Sequence, residues 1–457
     1  MRTALVIGAG FEGMATAFYL RDSYGLDVTL VDAAPKLGGV MRGFANAGFH
    51  LDAGCQVFDN FDRRVSQVID RLSLGQCELD TISYAARFLG KLNSEVSVPD
   101  LTALPSEILA TIQADTLASE DDGLSTVQLS EYYQARWGAT AADYLNRVNL
   151  KALDEDASKL DQSNRIYAGL SRLRLFEDDQ YALQLKSNSP AIDAKVAVPR
   201  HGAHFYSAAQ DDPGRQQNIV PLPHSMGSFC TSAEQVLHEA GINLRLGFKI
   251  ARLGIDPDTG AVDAEFANDA GTDRIIVDLL VWCTSFEQLC KTLDAPQNTA
   301  ALLDPIGTTI TYYVAANDQF CEHGYVQNYD PDMRFFRWSN MGSYSRQIAK
   351  DGTTFCCLET PSKHSRDGND VQAEAQRDWD DLVTLGLVEG TFVKPPLRRF
   401  MPNCIKRRRP GYMTEAHAAQ DWIALQFGTS FLYQDPDSFG RTPTARQLFD
   451  QIDCLLT

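Results

Sequence analysis

Thr3-Ala4-Leu5-Val6-Ile7-Gly8-Ala9-Gly10-Phe11-Glu12-Gly13-Met14-Ala15-Thr16-Ala17-Phe18-Tyr19-Leu20-Arg21 opens the chain, and Val28-Thr29-Leu30-Val31-Asp32 follows closely. Ala4 to Ile7 reads as a buried strand, Gly8 to Gly13 as a turn, Met14 to Arg21 as a helix and Val28 to Val31 as a second strand. Strand, glycine turn, helix and strand in that order make a βαβ unit, the context in which a GxGxxG spacing signals dinucleotide binding. Gly8 permits the tight turn, Gly10 lets backbone amides approach a pyrophosphate, and Gly13 lets the helix pack closely on the strand. The amides of Phe11 and Glu12 stand at the helix N-terminus, where the dipole favours an anion. Asp32, about twenty residues on, is placed to accept hydrogen bonds from the adenosine ribose hydroxyls, with Ala33 beside it; a phosphate there would be repelled.

The next residues decide between dinucleotides. Leu37-Gly38-Gly39-Val40-Met41-Arg42 is followed by Gly48-Phe49-His50-Leu51-Asp52-Ala53-Gly54-Cys55-Gln56-Val57-Phe58. Paired glycines let backbone pass a phosphate or a flavin ring where a side chain would block it. These segments resemble the flavoprotein superfamily of amine oxidases, protoporphyrinogen oxidase, phytoene desaturases and UDP-galactopyranose mutase, whose paired glycines and Asp-x-Gly segment run along FAD. The resemblance implies FAD as cofactor, with contacts from Gly38, Gly39, Val40, Met41, Arg42, Gly54, Cys55 and Gln56. It extends more loosely along the chain. Leu129 to Gly138 resembles the helical-domain segment, and Pro223-His224-Ser225-Met226-Gly227-Ser228 a turn of the family. Phe248 to Leu253 resembles the strand whose central residue, here Ile250, pairs its backbone with the adenine. Asp278 to Ser285, with Thr284, resembles the strand that closes the nucleotide site. Ala424-Leu425-Gln426-Phe427-Gly428-Thr429 has the glycine of the C-terminal motif without its charged partner, and Gly440 to Gln447 begins the helix that in relatives points at the flavin.

With 457 residues the chain exceeds what one core serves, so two lobes are expected. The fold class is α/β: a Rossmann-like FAD-binding domain from residues 1–75, 195–285 and 395–457, and an α+β substrate or cap domain from 76–194 and 286–394, with a mixed sheet and a helical insertion. Pro105-Ser106-Glu107 starts one helix of that insertion and Val127 to Tyr133 opens another. Ser228 to Ala240 reads as a helix and Ile275 to Trp282 as one apolar strand, while Thr309 to Val314 and Thr354 to Leu358 alternate as strands of the second sheet.

A formal charge of −19 opposes sequence-independent binding of nucleic acid or anionic lipid and leaves a small molecule as the expected partner. No apolar run reaches the roughly eighteen residues of a membrane span, and Met1 to Gly8 reads as a strand rather than a signal peptide, so a cytoplasmic protein without membrane insertion is expected. Ten cysteines lack zinc spacing and imply neither metal nor disulfide framework. Lys406-Arg407-Arg408-Arg409 is a dense basic cluster that either clamps an anionic or nucleotide-linked substrate, through Arg407 and Arg408, or is a solvated loop. Arg337 is a candidate because a similar segment faces substrate in mutase-like relatives. His201 and His204 lack a third ligand and receive no role.

Three functions follow. The first is a flavin-dependent oxidoreductase in which a substrate hydride goes to flavin N5. The second is a non-redox nucleotide-sugar mutase using reduced flavin as a nucleophile, against which stands Gly54-Cys55-Gln56-Val57-Phe58-Asp59 in place of the mutases' Gly-x-His-x-x-His arrangement. The third is a catalytically silent FAD-binding protein. Catalytic residues, substrate, electron acceptor and oligomeric state are not specified by the sequence.

Overall fold

A computed structural model of the chain describes residues 2–80, 82–94, 96–120, 123–167, 170–199, 218–222, 226–269, 271–362, 371–438 and 440–457. His201, His204 and the Pro223-His224-Ser225 turn lie outside the described residues. The chain divides into two compact units, one of residues 1–79, 218–301 and 413–457, the other of residues 80–217 and 302–412.

The first unit is built on a parallel sheet of five strands in the order Asn243–Leu246, Asp27–Asp32, Thr3–Ile7, Leu279–Trp282, Phe431–Tyr433. Thr3–Ile7 sits at the centre because Ala4, Leu5, Val6 and Ile7 are apolar on both faces, as a parallel strand covered by helices requires. The helix Phe11–Tyr24 crosses over to Asp27–Asp32 and ends at Gly25, whose left-handed φ of 66° turns the chain back within two residues. Ala4, Val6, Met14, Phe18, Val28 and Leu30 are all buried. Residues of the helices Arg63–Leu72, Met226–Glu239 and Arg441–Leu456 join them in one apolar core. Strand order reverses beside Thr3–Ile7, so the carboxyl ends of this strand and of Leu279–Trp282 flank the crevice where such sheets bind ligands.

Ile275 to Trp282 is two strands, not the single one expected. Gly271–Val277 belongs to a three-stranded antiparallel sheet with Lys249–Ile255 and Val262–Asn268, and Leu279–Trp282 to the parallel sheet. Asp278 marks the break: its carboxylate accepts from the Thr3 amide at 2.7 Å and the Thr3 hydroxyl at 3.1 Å, fixing where the first strand starts.

The second unit carries a mixed seven-stranded sheet in the order Leu397–Arg408, Leu303–Ala316, Thr353–Ser362, Arg337–Ser339, Tyr325–Asn328, Tyr84–Phe88, Lys91–Ser94. Only the pairing of Tyr325–Asn328 with Tyr84–Phe88 is parallel among these. One face packs Tyr313, Val326, Trp338, Cys356 and Leu358 against the helix Val371–Thr384. A second core gathers Ala86, Phe88 and Tyr329 with the helices Ser106–Ala118 and Leu129–Leu153. Sequence reading returns the chain to the nucleotide lobe at residue 395, but Leu397–Arg408 is an edge strand of this second sheet, antiparallel to Leu303–Ala316. Its polar and apolar side chains do not alternate and most are part-exposed, so hydropathy gave no strand signal. Among the described residues no helix is long and apolar enough to cross a membrane.

Candidate cofactor site

The glycine loop closes by direct backbone contact. The Gly8 amide donates to Val31 O at 2.8 Å, and Gly8 takes a φ of 101°, where a Cβ would stand 2.9 Å from Cys283 O. A Cβ on Gly13 would fall 1.7 Å from Gly8 O, so helix and turn touch only because position 13 has no side chain. Gly10 is the helix N-cap, and no side chain caps it. The first turn therefore presents amides without a side-chain acceptor at its cap. Phe11 points the other way, its ring 4.7 Å from that of Phe58 in the core, which leaves only its backbone for a ligand.

Asp32 lies where expected, at the end of the second strand. It accepts from the Ala9 amide and the Ala34 amide, each at 2.6 Å, and so holds the glycine loop itself. A carboxylate accepts about four hydrogen bonds, so ribose hydroxyls remain within its capacity. Exposed Ala33 lines an open groove of about 650 Å³ with Leu246, Gly247, Lys249, Ala267, Asn268 and Asp269. Ile250 follows on Lys249–Ile255, an edge strand of its sheet paired on one side with Phe266, where a bulge follows it. Backbone groups on the other edge of such a strand are left for a ligand.

The paired glycines fold back onto the fingerprint. The Gly38 amide donates to Ala9 O at 2.7 Å, and a Cβ on Gly39 would meet Gly10 Cα at 3.6 Å. Both take positive φ, 102° and 54°. Of the residues after them, Met41 is buried in the core, Val40 is 66% exposed, and Arg42 returns its guanidinium to Gly39 O at 3.3 Å. Gly54 turns with φ 78° behind Asp52, whose fully buried carboxylate accepts from the Met226 amide at 3.4 Å. Gln56 bonds Ala53 O at 2.8 Å, and Cys55 beside it is half-buried. Thr284 Oγ1, beside Gly8, is buried and makes no hydrogen bond among the described residues.

Gly428 is misplaced in the sequence reading. It lies in the turn Gly428–Ser430 before the strand Phe431–Tyr433, and that strand runs parallel to Leu279–Trp282, so Gly428 is at the amino end of the sheet. The glycine with a charged neighbour comes after the strand: Gly440, at φ 92°, caps the helix Arg441–Leu456. Arg441 donates to Val57 O at 3.3 Å and to Gln56 Oε1. Ala424 to Phe427, read as the strand of this motif, is the end of the helix Tyr412–Phe427, and the strand itself is Phe431–Tyr433. The signal of the pair, Gly-Arg ahead of an amphipathic run, was present in the sequence.

Arg441 is also the cation that acts on Glu12. Burial raises the Glu12 carboxyl above its usual range, against the pull of its own amide and of Arg441. Burial lowers Arg441 below its usual value, opposed by Glu12, Asp52, Cys55 and Cys230. The Cys230 thiol is pushed up to about 12, by burial first and then by Asp52. These groups belong to one buried, partly charged site along the glycine turns, and the bare backbone between Gly10 and Gly39 with the unpartnered Thr284 hydroxyl suits a dinucleotide.

The substrate candidates fare differently. Arg407 has no exposed side-chain surface; it pairs with Asp304 and donates to Leu153 O at 2.9 Å and Asp154 O at 3.0 Å, at the C-terminus of the helix Leu129–Leu153. It is neither a clamp nor a solvated loop, because the helix's last carbonyls need a cation there. Arg408 is buried with its guanidinium 4.8 Å from the Tyr412 ring and 5.7 Å from that of Tyr167. Arg337 makes a two-point ion pair with Glu359, one bond at 2.8 Å. The pair sits in a cross-strand row of Gln327, Arg337, Glu359, Ile310 and Arg399. Tyr84 and Tyr325 stand two residues along on that face, ring centroids 5.1 Å apart.

Residues 6–72 match the model of an NAD(P)-binding Rossmann-like domain. Protoporphyrinogen oxidase 2, chloroplastic/mitochondrial, of Arabidopsis thaliana is 27% identical over 153 residues. That stretch is 31% of this chain and 30% of the plant enzyme, so the chain matches less than a third of the length of the curated relatives it resembles. A solved structure of reduced UDP-galactopyranose mutase superposes over 100% of this chain and 94% of its own, with a TM-score of 0.71 at 14% identity. Putrescine oxidase bound to putrescine does so over 100% and 99%, with a TM-score of 0.61 at 12% identity. The resemblance read from the first 58 residues therefore holds, and so does the expected α/β fold with its Rossmann-like domain.

Proposed function

We propose that the first unit holds FAD and that the protein is a flavin-dependent oxidoreductase acting on a small molecule. The observation that carries this reading is the closing of the two glycine motifs on each other, Gly38 on Ala9 and Gly39 on Gly10, with Arg441 returning to the Asp-x-Gly segment at Gln56 and Val57. A dinucleotide of NAD type needs the first motif only; the second and third lengthen the strip of accessible backbone, as a flavin's longer tail requires. Asp32 and the groove beside Ala33 take the adenosine end. The amides of Gly10 to Gly13 take the diphosphate. Thr284, Arg42 and Gln56 supply donors along the remainder, and the amides of the helix Arg441–Leu456 stabilise negative charge at its N-terminus. When bound, the flavin supplies the redox chemistry by accepting a hydride at N5. The protein contributes orientation and exclusion of water. In the second unit, the row around Arg337 and Glu359 offers a polar, aromatic-lined surface suited to selecting an ionic small molecule.

Anaerobic titration of the FAD-loaded protein against amines, alcohols and nucleotide sugars tests this. Bleaching of the flavin by an amine or alcohol is expected. Turnover of a nucleotide sugar only after prior reduction by dithionite establishes the mutase instead, and a flavin that dithionite reduces but no substrate does establishes the silent protein.

A further inference from the structure

Glu12 places a carboxyl group where the cofactor reading requires an anion. Its Oε2 lies 3.6 Å from where a Cβ on Gly10 would stand, and no side chain caps the helix at Gly10. A carboxylate in the first turn answers the helix dipole by itself. A diphosphate brought to the same amides meets a like charge at close range, in surroundings less polar than water. Protonation resolves the conflict, because a neutral carboxyl removes the repulsion and offers an O–H to a phosphate oxygen.

The neighbouring groups do not supply the missing positive charge. Arg441, from the C-terminal helix, is the cation acting on Glu12, but it is divided among Gln56, Val57, Asp52, Cys55 and Cys230. Cys283, at the end of the strand Leu279–Trp282, faces Glu12 as a thiol that burial keeps neutral. Arg42 acts on Cys230. We propose that Glu12 binds the dinucleotide's diphosphate as a neutral carboxylic acid donating its proton to a phosphate oxygen, so that cofactor binding takes up one proton. The proposal rests on the reading of the first unit as a dinucleotide site. Affinity then falls about tenfold per pH unit above the pKa of Glu12 in the cofactor-free protein.

Calorimetric titration of FAD into cofactor-free full-length protein, in two buffers of different ionisation heat, counts the protons; NAD⁺, which carries the same diphosphate bridge, is the second probe. Uptake close to one proton in wild type, and none with a pH-flat affinity in Glu12→Gln, is expected. Glu12→Ser serves the same purpose if circular dichroism shows Glu12→Gln unfolded. No uptake in wild type at any pH, with an affinity as flat as the variant's, or equal uptake in the variant, overturns the proposal. If NAD⁺ binds with uptake and FAD does not bind, the Glu12 role stands and the flavin reading falls. If neither binds at any pH, both fall.

Discussion

Gly13 and Thr284 separate what a residue does for the fold from what it does for a ligand. A Cβ at position 13 would meet Gly8 O at 1.7 Å, and backbone on both sides leaves no flexible atom to yield. Gly13→Ala is expected to cost about 1–3 kcal/mol as overpacking, with the melting temperature falling whether or not cofactor is present. Gly25→Ala is the control: it meets nothing within 4 Å and carries only the strain of its φ of 66°, so dinucleotide affinity should stay at the wild-type value. Thr284→Val has the opposite profile. Its hydroxyl oxygen is buried without a partner among the described residues, so removing it should leave the melting temperature of the cofactor-free protein unchanged. If the hydroxyl bonds the cofactor, FAD affinity falls about fivefold, the worth of one modest hydrogen bond. An unchanged affinity removes Thr284 from the site. At this scale the first 58 residues were legible because each glycine answers a local demand of the turn that contains it. The partners of Arg441 were not, since Gln56 and Val57 are some 384 residues away from it in sequence.

Helices of the first unit meet at Asp453, which accepts from Tyr19 and Tyr24 of the fingerprint helix and its end at 2.7 and 2.6 Å, and from Arg64 of Arg63–Leu72 at 2.7 Å. Burial pushes this carboxyl up, yet the bonds from Tyr24, Tyr19 and Arg64 outweigh it and hold it below the ordinary aspartate value. A depressed folded pKa stabilises above the unfolded value, about 4, and that contribution is lost as pH falls through the folded one. Urea midpoints should therefore place Asp453→Asn well below wild type at pH 7, with the gap closing on acidification; a constant gap contradicts the assignment. In the second unit Arg407 ties the edge strand to a helix end. Arg407→Met should destabilise by about 3 kcal/mol, as loss of a buried ion-pair partner does, read as a lower denaturant midpoint. A changed KM at unchanged stability would return Arg407 to the substrate site. Basic clusters read as anion clamps from sequence because composition cannot distinguish a guanidinium facing solvent from one spent on carbonyls. Likewise, the antiparallel strand Leu397–Arg408 escaped reading because an edge strand with mostly part-exposed side chains lacks the apolar alternation that reveals a central one.

Over the whole molecule, each unit is assembled from segments distant in sequence: the parallel sheet takes its five strands from residues 3 to 433, and its third strand follows the second by more than two hundred residues. That discontinuity is why the points of return, at Asn218, Leu302 and Met413, fell later than hydropathy placed them. The acidic chain, net −19, also predicts that the overall field opposes any anionic substrate, Arg337 being paired with Glu359, so its KM should fall as rising ionic strength screens that field. The functional expectations hang on the occupant of the first unit, and the most direct measurement is the absorption spectrum of the purified protein with its released cofactor identified. A flavin spectrum, with FAD recovered on denaturation or after loading, is the predicted result; a colourless protein that takes up no FAD at any pH would contradict the account.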